Sequence, residues 1–356
     1  MRLGAYYWDG WYERLPNQSE RLLMEFPNRM PVWGWLGDTV ENMELQIDYA
    51  ANAGLAFFAF DWYYSKEGEV IGMNGCIDRY LKARNNNRME QCLLVANHDP
   101  FRIYRKDWER FCELVMPYVT DKHALKAGDN PVVIIFSPFN LIDDLGGVED
   151  TRNCFEYFKD FARKNGLPGL NIVAGLPQLP RDEDTDAVST DPDKWAEFCR
   201  KLEDSGYDAI SGYNYHRLYF KKDELKNLIY PFEQLSADYE YAWDMFAKHC
   251  RLPQMLCVNG GWDCRPWEDG RLYKGCNAVP SCYSPDRTPA TQYEHVKKAG
   301  EWINTYADKA LNDLAVIYAW NENGEGGYIE PTVGDNGSIL NAVSRAIRES
   351  DHTLKL

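Results

Sequence analysis

The chain has 356 residues and a net charge of −16. With a pI near 4.9 it repels polyanions, which argues against nucleic acid and anionic membrane surfaces as partners and favours a neutral substrate over a phosphorylated one. Hydrophobic residues make up 45% of it, enough for a sizeable core, yet no run reaches the ~18 apolar residues that a membrane span needs.

Strand-like runs alternate with helical patterns along the chain. Leu3–Trp8 reads as the first strand. The opening MRLGAYYWDG has no signal-peptide profile, so the expectation is a cytoplasmic chain, or a periplasmic or cell-surface one whose leader has been removed. Thr39–Ala53 follows as a helix with Thr39 as N-cap and Gly54 as its stop. Then come a strand over Leu55–Tyr64, a helix over Gly75–Asn85, a strand over Glu90–Asn97 and a helix over Arg105–Val119. Pro131–Ser137 and Leu170–Gly175 read as strands on either side of a helix over Val148–Asn165 that Gly166 ends. Asp191-Pro192 has the form of an N-cap followed by proline in the first turn, opening a helix to Ser205. Strands at Tyr207–Tyr213, Gln254–Asn259 and Leu314–Trp320 alternate with helices at Ala237–Cys250, Thr291–Leu311 and Gly337–Glu349.

Eight strand–helix pairs require parallel pairing through crossover helices. Their spacing predicts an α/β fold, a (β/α)8 TIM barrel, spanning residues 1–356 as one catalytic domain with long loops after strands one and seven. An open doubly wound sheet usually shows a Gly-rich phosphate fingerprint after its first strand; Asp9-Gly10-Trp11-Tyr12 is not one.

In such barrels the chemistry lies at the C-terminal ends of the strands. Here the apolar runs close on polar and aromatic residues: Tyr7-Trp8-Asp9, Asp61-Trp62-Tyr63, Asn97-His98-Asp99, Ser137-Pro138-Phe139-Asn140, Tyr213-Asn214-Tyr215-His216, Trp262-Asp263 and Trp320-Asn321-Glu322. The fifth strand ends plainly, in Gly175-Leu176-Pro177-Gln178. With 12 Trp, 23 Tyr and 15 Phe, and many of them in turns, the chain carries the stacking surfaces that suit a sugar ring. Trp8, Tyr213, Tyr215 and Trp262 are candidate platforms, although each also suits plain packing. Cys264–Trp267, with Arg265, is expected to shape the cleft wall.

The strongest chemical signal is AWNENGEGGYIEP, residues 319–331. It places Glu322, Glu325 and Glu330 in a Gly-rich loop without lysine or arginine. Clustered carboxyls raise one another's proton affinity, which suits a site where one acid holds its proton while another accepts one. Glycoside hydrolases typically work with such a pair. Glu322 and Glu325 are therefore the candidate catalytic residues.

The same stretch resembles glycoside hydrolase family 99 and the related WbsX-like proteins, whose last barrel strand ends in Trp/Phe-Asn-Glu-Trp-x-Glu-Gly and is followed by Ile-Glu-Pro. Here the residues are Trp320-Asn321-Glu322-Asn323-Gly324-Glu325-Gly326, then Ile329-Glu330-Pro331. Further islands of likeness are Ala5-Tyr6-Tyr7, Phe60-Asp61-Trp62-Tyr63 and Gly261-Trp262-Asp263. The resemblance implies a (β/α)8 endo-α-mannosidase acting with retention. In the family's proposed mechanism one glutamate deprotonates the sugar 2-hydroxyl to give a 1,2-anhydro sugar, and the other protonates the leaving group. Carried over, Glu322 is the base and Glu325 the acid/base. The chain departs from the motif at Asn323 and Gly324, which removes a large side chain expected beside the pair.

An oligosaccharide or polysaccharide is the expected substrate, bound by Tyr7, Trp8, Asp61, Trp62, Tyr63, His98, Asp99, Tyr213, Tyr215, His216, Trp262, Asp263 and Asn321. No metal or other cofactor is expected: six histidines are present, and His98 and His216 suit hydrogen bonding to a sugar better than metal ligation. Of ten cysteines, Cys92, Cys112, Cys154, Cys199 and Cys257 read as small buried hydrophobes, while Cys264, Cys276 and Cys282 share a loop that admits a disulfide or a free thiol. A non-catalytic sugar-binding barrel, or a domain associated with glycan assembly, is the competing reading. The carboxylate pair separates the two, since a binder has no use for it.

Overall fold

A computed structural model describes residues 1–11, 19–66, 71–182, 188–215, 229–267 and 283–352. Eight parallel strands form its centre: β1 (Arg2–Tyr7), β2 (Phe57–Trp62), β3 (Glu90–Val95), β4 (Asn130–Ile135), β5 (Asn171–Leu176), β6 (Ala209–Gly212), β7 (Gln254–Asn259) and β8 (Ala310–Tyr318). Each pairs with its sequence neighbour, and β1 also pairs with β8, so the sheet closes into a (β/α)8 barrel. Closure buries both faces, which is why the strands read as continuous apolar runs.

Strand alternation decides which rim residues face the barrel axis. On β1 the Tyr6 hydroxyl donates across the barrel to the Gly212 carbonyl at 2.7 Å, whereas Tyr7 packs outward on Phe58 and Phe60. On β2, Asp61 turns inward and Trp62 outward, against Phe111 of the helix Trp108–Val119.

Most helix limits follow local signals. The Thr39 hydroxyl caps Val40–Ala53 by accepting from Asn42 N at 3.1 Å, and Gly54 ends that helix at φ 90°. Asp191 caps Pro192–Asp204 through Asp193 N at 2.9 Å. Several limits differ from expectation: the helix expected to reach Leu311 runs from Pro289 to Thr305, because Ala310 and Leu311 already belong to β8. β8 starts at Ala310, ahead of Leu314, because Asn312 and Asp313 at φ 47° and 57° form a bulge opposite Gln254 and Leu256. The helix Phe232–His249 starts ahead of Ala237, where the Asp286 carboxylate, distant in sequence, accepts from Phe232 N at 2.9 Å. Pro138-Phe139-Asn140 opens a helix, Pro138–Leu145, with proline in its first turn and Gly146 at φ 108° behind it.

The two long loops meet over the barrel mouth. The Ser19 hydroxyl donates to the Pro266 carbonyl at 2.9 Å, and Arg21 to the Arg265 carbonyl at 2.8 Å. Cys92, Cys112, Cys154, Cys199 and Cys257 are buried thiols, and Cys264 is partly buried; Cys276 and Cys282 lie outside the described residues. No described helix is long and apolar enough to cross a membrane.

Candidate active site

A cavity of about 320 Å³ opens at the C-terminal ends of the strands. Its floor carries Asp61, Tyr213, Glu322 and Glu325, and its walls include Trp8, Tyr63, His98, Asp99, Phe101, Phe136 and Trp267. Both glutamates come from one tight turn. Asn321–Glu322 pairs antiparallel with Gly327–Tyr328, Glu325 N donates to the Glu322 carbonyl at 3.1 Å, and Gly326 takes φ 74°. A side chain at Gly327 would collide with the Tyr318 ring, so glycine there lets the hairpin fold back over β8.

The acids are arranged around two phenols. The Tyr213 hydroxyl lies 3.1 Å from Glu322 Oε1 and 3.4 Å from Asp61 Oδ2. Having one proton, it donates to one of them at a time. The Tyr318 hydroxyl donates to Glu325 Oε2. Asp61 is buried, and its Oδ1 has no partner among the described residues.

Burial is the first cause of high proton affinity in all three acids. It raises Glu322 well above the usual carboxylate range; Glu325 and Asp61 raise it further, and the Tyr213 hydrogen bond works against them. Asp61 is also pushed well up by burial and by Glu325, again opposed by Tyr213. Glu325 is raised by burial and eased by Tyr318. All three acids therefore bind a proton more tightly than an exposed carboxylate does.

Several expected sugar contacts stand elsewhere. Tyr7 and Trp62 face the helix layer, one residue out of phase with Trp8, Asp61 and Tyr63. Tyr215 is buried against Tyr239, with ring centroids 4.9 Å apart. Trp262 is buried beside Tyr318, with centroids 6.4 Å apart. Asp263 forms buried ion pairs with Arg29 and Arg265. From that cluster Arg29 also donates to the Asn323 carbonyl at 3.0 Å, and Asp263 N donates to the Glu325 carbonyl at 2.5 Å, so the glutamate turn is braced from behind. Asn321 clamps the Trp8 backbone, accepting from its N at 2.9 Å and donating to its carbonyl at 2.8 Å. Glu330 is buried away from the cavity, beside Tyr7 and Asn321. His216 lies outside the described residues. Trp8, Asp61, Tyr63, His98, Asp99, Tyr213, Glu322 and Glu325 are brought together as expected.

Phe101 and Phe136 are wall residues that the sequence did not single out. Phe136 follows the last residue of β4 and could have been found from the strand phase; Phe101 has no such signal. Two further amide clamps also went unread. Asn74 exchanges hydrogen bonds of 2.8 Å with the Tyr63 backbone, and Asn97 does the same with Ser137, next to Phe136. Together with Asn321 they extend the barrel's ladder by side chain and fix the rim on which the cavity stands. Among the described residues no group of three or more His, Cys, Asp or Glu is placed to hold a metal ion.

Residues 36–343 match the family model described as glycosyltransferase WbsX. The chain belongs to the WbsX family. Solved structures of a GH99 endo-α-mannosidase from Bacteroides thetaiotaomicron, one of them in complex with bis-tris-propane, share the fold of this WbsX chain at a TM-score of 0.61 and 12% identity, covering 100% of this chain and 99% of theirs. A structure described as a glycoside hydrolase-like protein gives 0.60 at 14% identity, covering 97% of this chain and 93% of its own. At such identities the likeness is one of fold. No curated protein is significantly similar in sequence.

The departure at 323 and 324 leaves no gap beside the glutamates. Asn323 is fully buried and points away from the cavity, its amide donating to the Arg29 carbonyl at 2.8 Å. At Gly324 the space a side chain would take is filled by the Trp267 indole.

Proposed function

We propose that this protein is a glycoside hydrolase that cleaves an α-linked, mannose-containing glycan with retention of configuration. The observation that carries the reading is the pair Glu322 and Glu325 on the floor of one aromatic-walled cavity, each held by a phenol and each with its proton affinity raised by burial. Ionised Glu322 takes the proton of the sugar 2-hydroxyl. O2 then attacks the anomeric carbon as Glu325 donates a proton to the leaving oxygen, which gives a 1,2-anhydro sugar and the free leaving-group sugar. In the second half, Glu325 takes a proton from water, the hydroxide opens the anhydro ring, and Glu322 returns its proton to O2. A carboxylate of high proton affinity is a strong base once ionised, which the abstraction from a hydroxyl requires.

Tyr213 orients Glu322, Asp61 raises its proton affinity, and Trp8, Tyr63 and Phe136 offer apolar faces for the sugar. No lysine or arginine is among the described residues of the wall, which suits a neutral glycan.

The family's description as glycosyltransferases favours a second reading, a domain that takes part in glycan assembly and binds sugar without hydrolysing it. Hydrolysis of a panel of α-mannosyl and α-glucosyl oligosaccharides separates the two. Under the hydrolase reading the wild type releases sugar, and Glu322→Gln and Glu325→Gln each lower the rate by ~100-fold or more. No release from any glycan, with equal binding by wild type and both variants, overturns it in favour of the binding reading.

A further inference from the structure

We propose that Trp267, seated on Gly324, is the platform for the sugar on the leaving-group side of the scissile bond, a neutral hexopyranose. The proposal rests on the hydrolase reading and deepens it. A Cβ built on Gly324 would come within 2.3 Å of Cε2, Cζ2 and Nε1 of Trp267. The indole therefore occupies the volume of a side chain at 324, and glycine is required there for steric room and not for backbone conformation, since Gly324 is not among the positive-φ glycines. Trp267 meets Trp8 edge to face, with centroids 6.1 Å apart and planes at 66°, and both line the cavity. Two indoles at that angle make a corner in the wall of the cavity whose floor holds the carboxyls.

The corner is fixed in place. Trp267 N donates to the Cys264 carbonyl at 2.9 Å, and the same turn is tied to the first long loop through Ser19 and Arg21. Arg265, within the turn, is held by the Asp263 carboxylate at 2.7 and 2.8 Å. A rigid aromatic face binds the C–H face of a pyranose at little cost in conformational entropy. Its position gives its role: Gly324 immediately precedes Glu325, the acid proposed to protonate the leaving oxygen, so the indole covers the sugar that departs. The three carboxyls of the floor disfavour an anionic sugar in this place.

The test compares wild type, Trp267→Ala, Gly324→Ala and the double variant on two substrates. One is the best-cleaved oligosaccharide of the panel; the other is the glycosyl fluoride of the same donor sugar, which has no leaving-group sugar. Trp267→Ala is expected to lower kcat/KM on the oligosaccharide at least about tenfold further than on the fluoride. Gly324→Ala drives a methyl into the indole and gives the same selective loss. In the double variant the methyl has room and adds little. Equal losses on both substrates, or full additivity, overturn the proposal. Calorimetric binding of each oligosaccharide of the panel to Glu322→Gln and to Glu322→Gln/Trp267→Ala separates the platform from the hydrolase reading. Roughly tenfold weaker binding without Trp267, in a protein whose wild type cleaves nothing, keeps the platform and removes the hydrolase. Unchanged binding, or no binding of any glycan in the panel, overturns the platform itself.

Discussion

Replacing Tyr213 with Phe removes one hydroxyl from the floor of the cavity and keeps the ring. That hydroxyl lies 3.1 Å from Glu322 Oε1 and 3.4 Å from Asp61 Oδ2 and opposes the burial that raises both acids. A hydrogen bond to a charged group contributes about 1.5–3 kcal/mol. Shared between two acceptors and longer than ideal, this one is placed just below that range, at roughly 1.4 kcal/mol, which is tenfold in a protonation equilibrium. Loss of the donor makes ionised Glu322 less stable, so its proton affinity rises. If Glu322 is the base, the acidic limb of kcat/KM against pH moves upward by about one pH unit, and the rate on that limb falls about tenfold. Asp61→Asn works in the opposite sense. It removes a negative neighbour that raises Glu322, so the acidic limb moves down. Opposite shifts from two neighbouring substitutions cannot arise from general damage to the site. An unmoved limb in both variants refutes the electrostatic account of the floor, and movement of the basic limb instead exchanges the roles of the two glutamates.

Two other predictions concern stability. Burial raises Asp238 to about 7 from 3.8, opposed by hydrogen bonds from Tyr230 and Gln234. The folded chain therefore keeps a proton that the unfolded chain loses near pH 4. This contribution is fully present below about pH 4 and is lost, to the extent of a few kcal/mol, as pH rises to about 7. Urea midpoints at about pH 5 and about pH 8 should converge in Asp238→Asn, and an unchanged difference between them would refute the assignment. Arg29→Ala leaves the buried Asp263 with Arg265 as its partner and removes the donor to the Asn323 carbonyl, so about 3 kcal/mol of stability should be lost. A loss below about 1 kcal/mol would mean that Arg265 alone satisfies the carboxylate.

The barrel is legible because its signals are local and repeated: apolar runs of strand length, Thr39 and Asp191 as caps, Gly54 as a stop. The misplaced limits have causes that pattern cannot carry. Asp286 caps a helix that begins at Phe232, and the bulge at Asn312 and Asp313 interrupts β8 before its apolar part starts. At the site, the clustering of carboxyls in the last loop points to Glu322 and Glu325, but the third acid on the cavity floor is Asp61 and not Glu330. Glu330 stands outside the two-residue hairpin and turns to the other side, a matter of turn geometry. Tyr7 and Trp62 were misjudged by strand phase: Asp61 faces inward, so Trp62 cannot. Asp263 suggests itself from its place after the seventh strand and from the Gly261-Trp262-Asp263 likeness, and nothing in the sequence near it shows Arg29 arriving from the first long loop.

The family's description and the hydrolase reading differ over what receives the sugar, and the cavity bears on that difference. A transferase that draws on a nucleotide-diphosphate sugar has to neutralise a pyrophosphate, by cations of the protein or by a metal ion. The described wall of this cavity contains no lysine or arginine, and its floor contributes three carboxyls. Bringing a pyrophosphate there sets negative charge against buried carboxyls, where such repulsion is stronger than in open water. A transfer reaction at this floor would have to take its sugar from a neutral glycan and pass the anhydro sugar to a hydroxyl in place of water, with Glu325 accepting that hydroxyl's proton. Hydrolysis and such a transfer then share their first half and divide only at the acceptor. Adding a saccharide acceptor to the hydrolysis assay distinguishes them by product length. Competition by a nucleotide-diphosphate sugar against glycan binding would break this line of reasoning, because the floor as built should reject it.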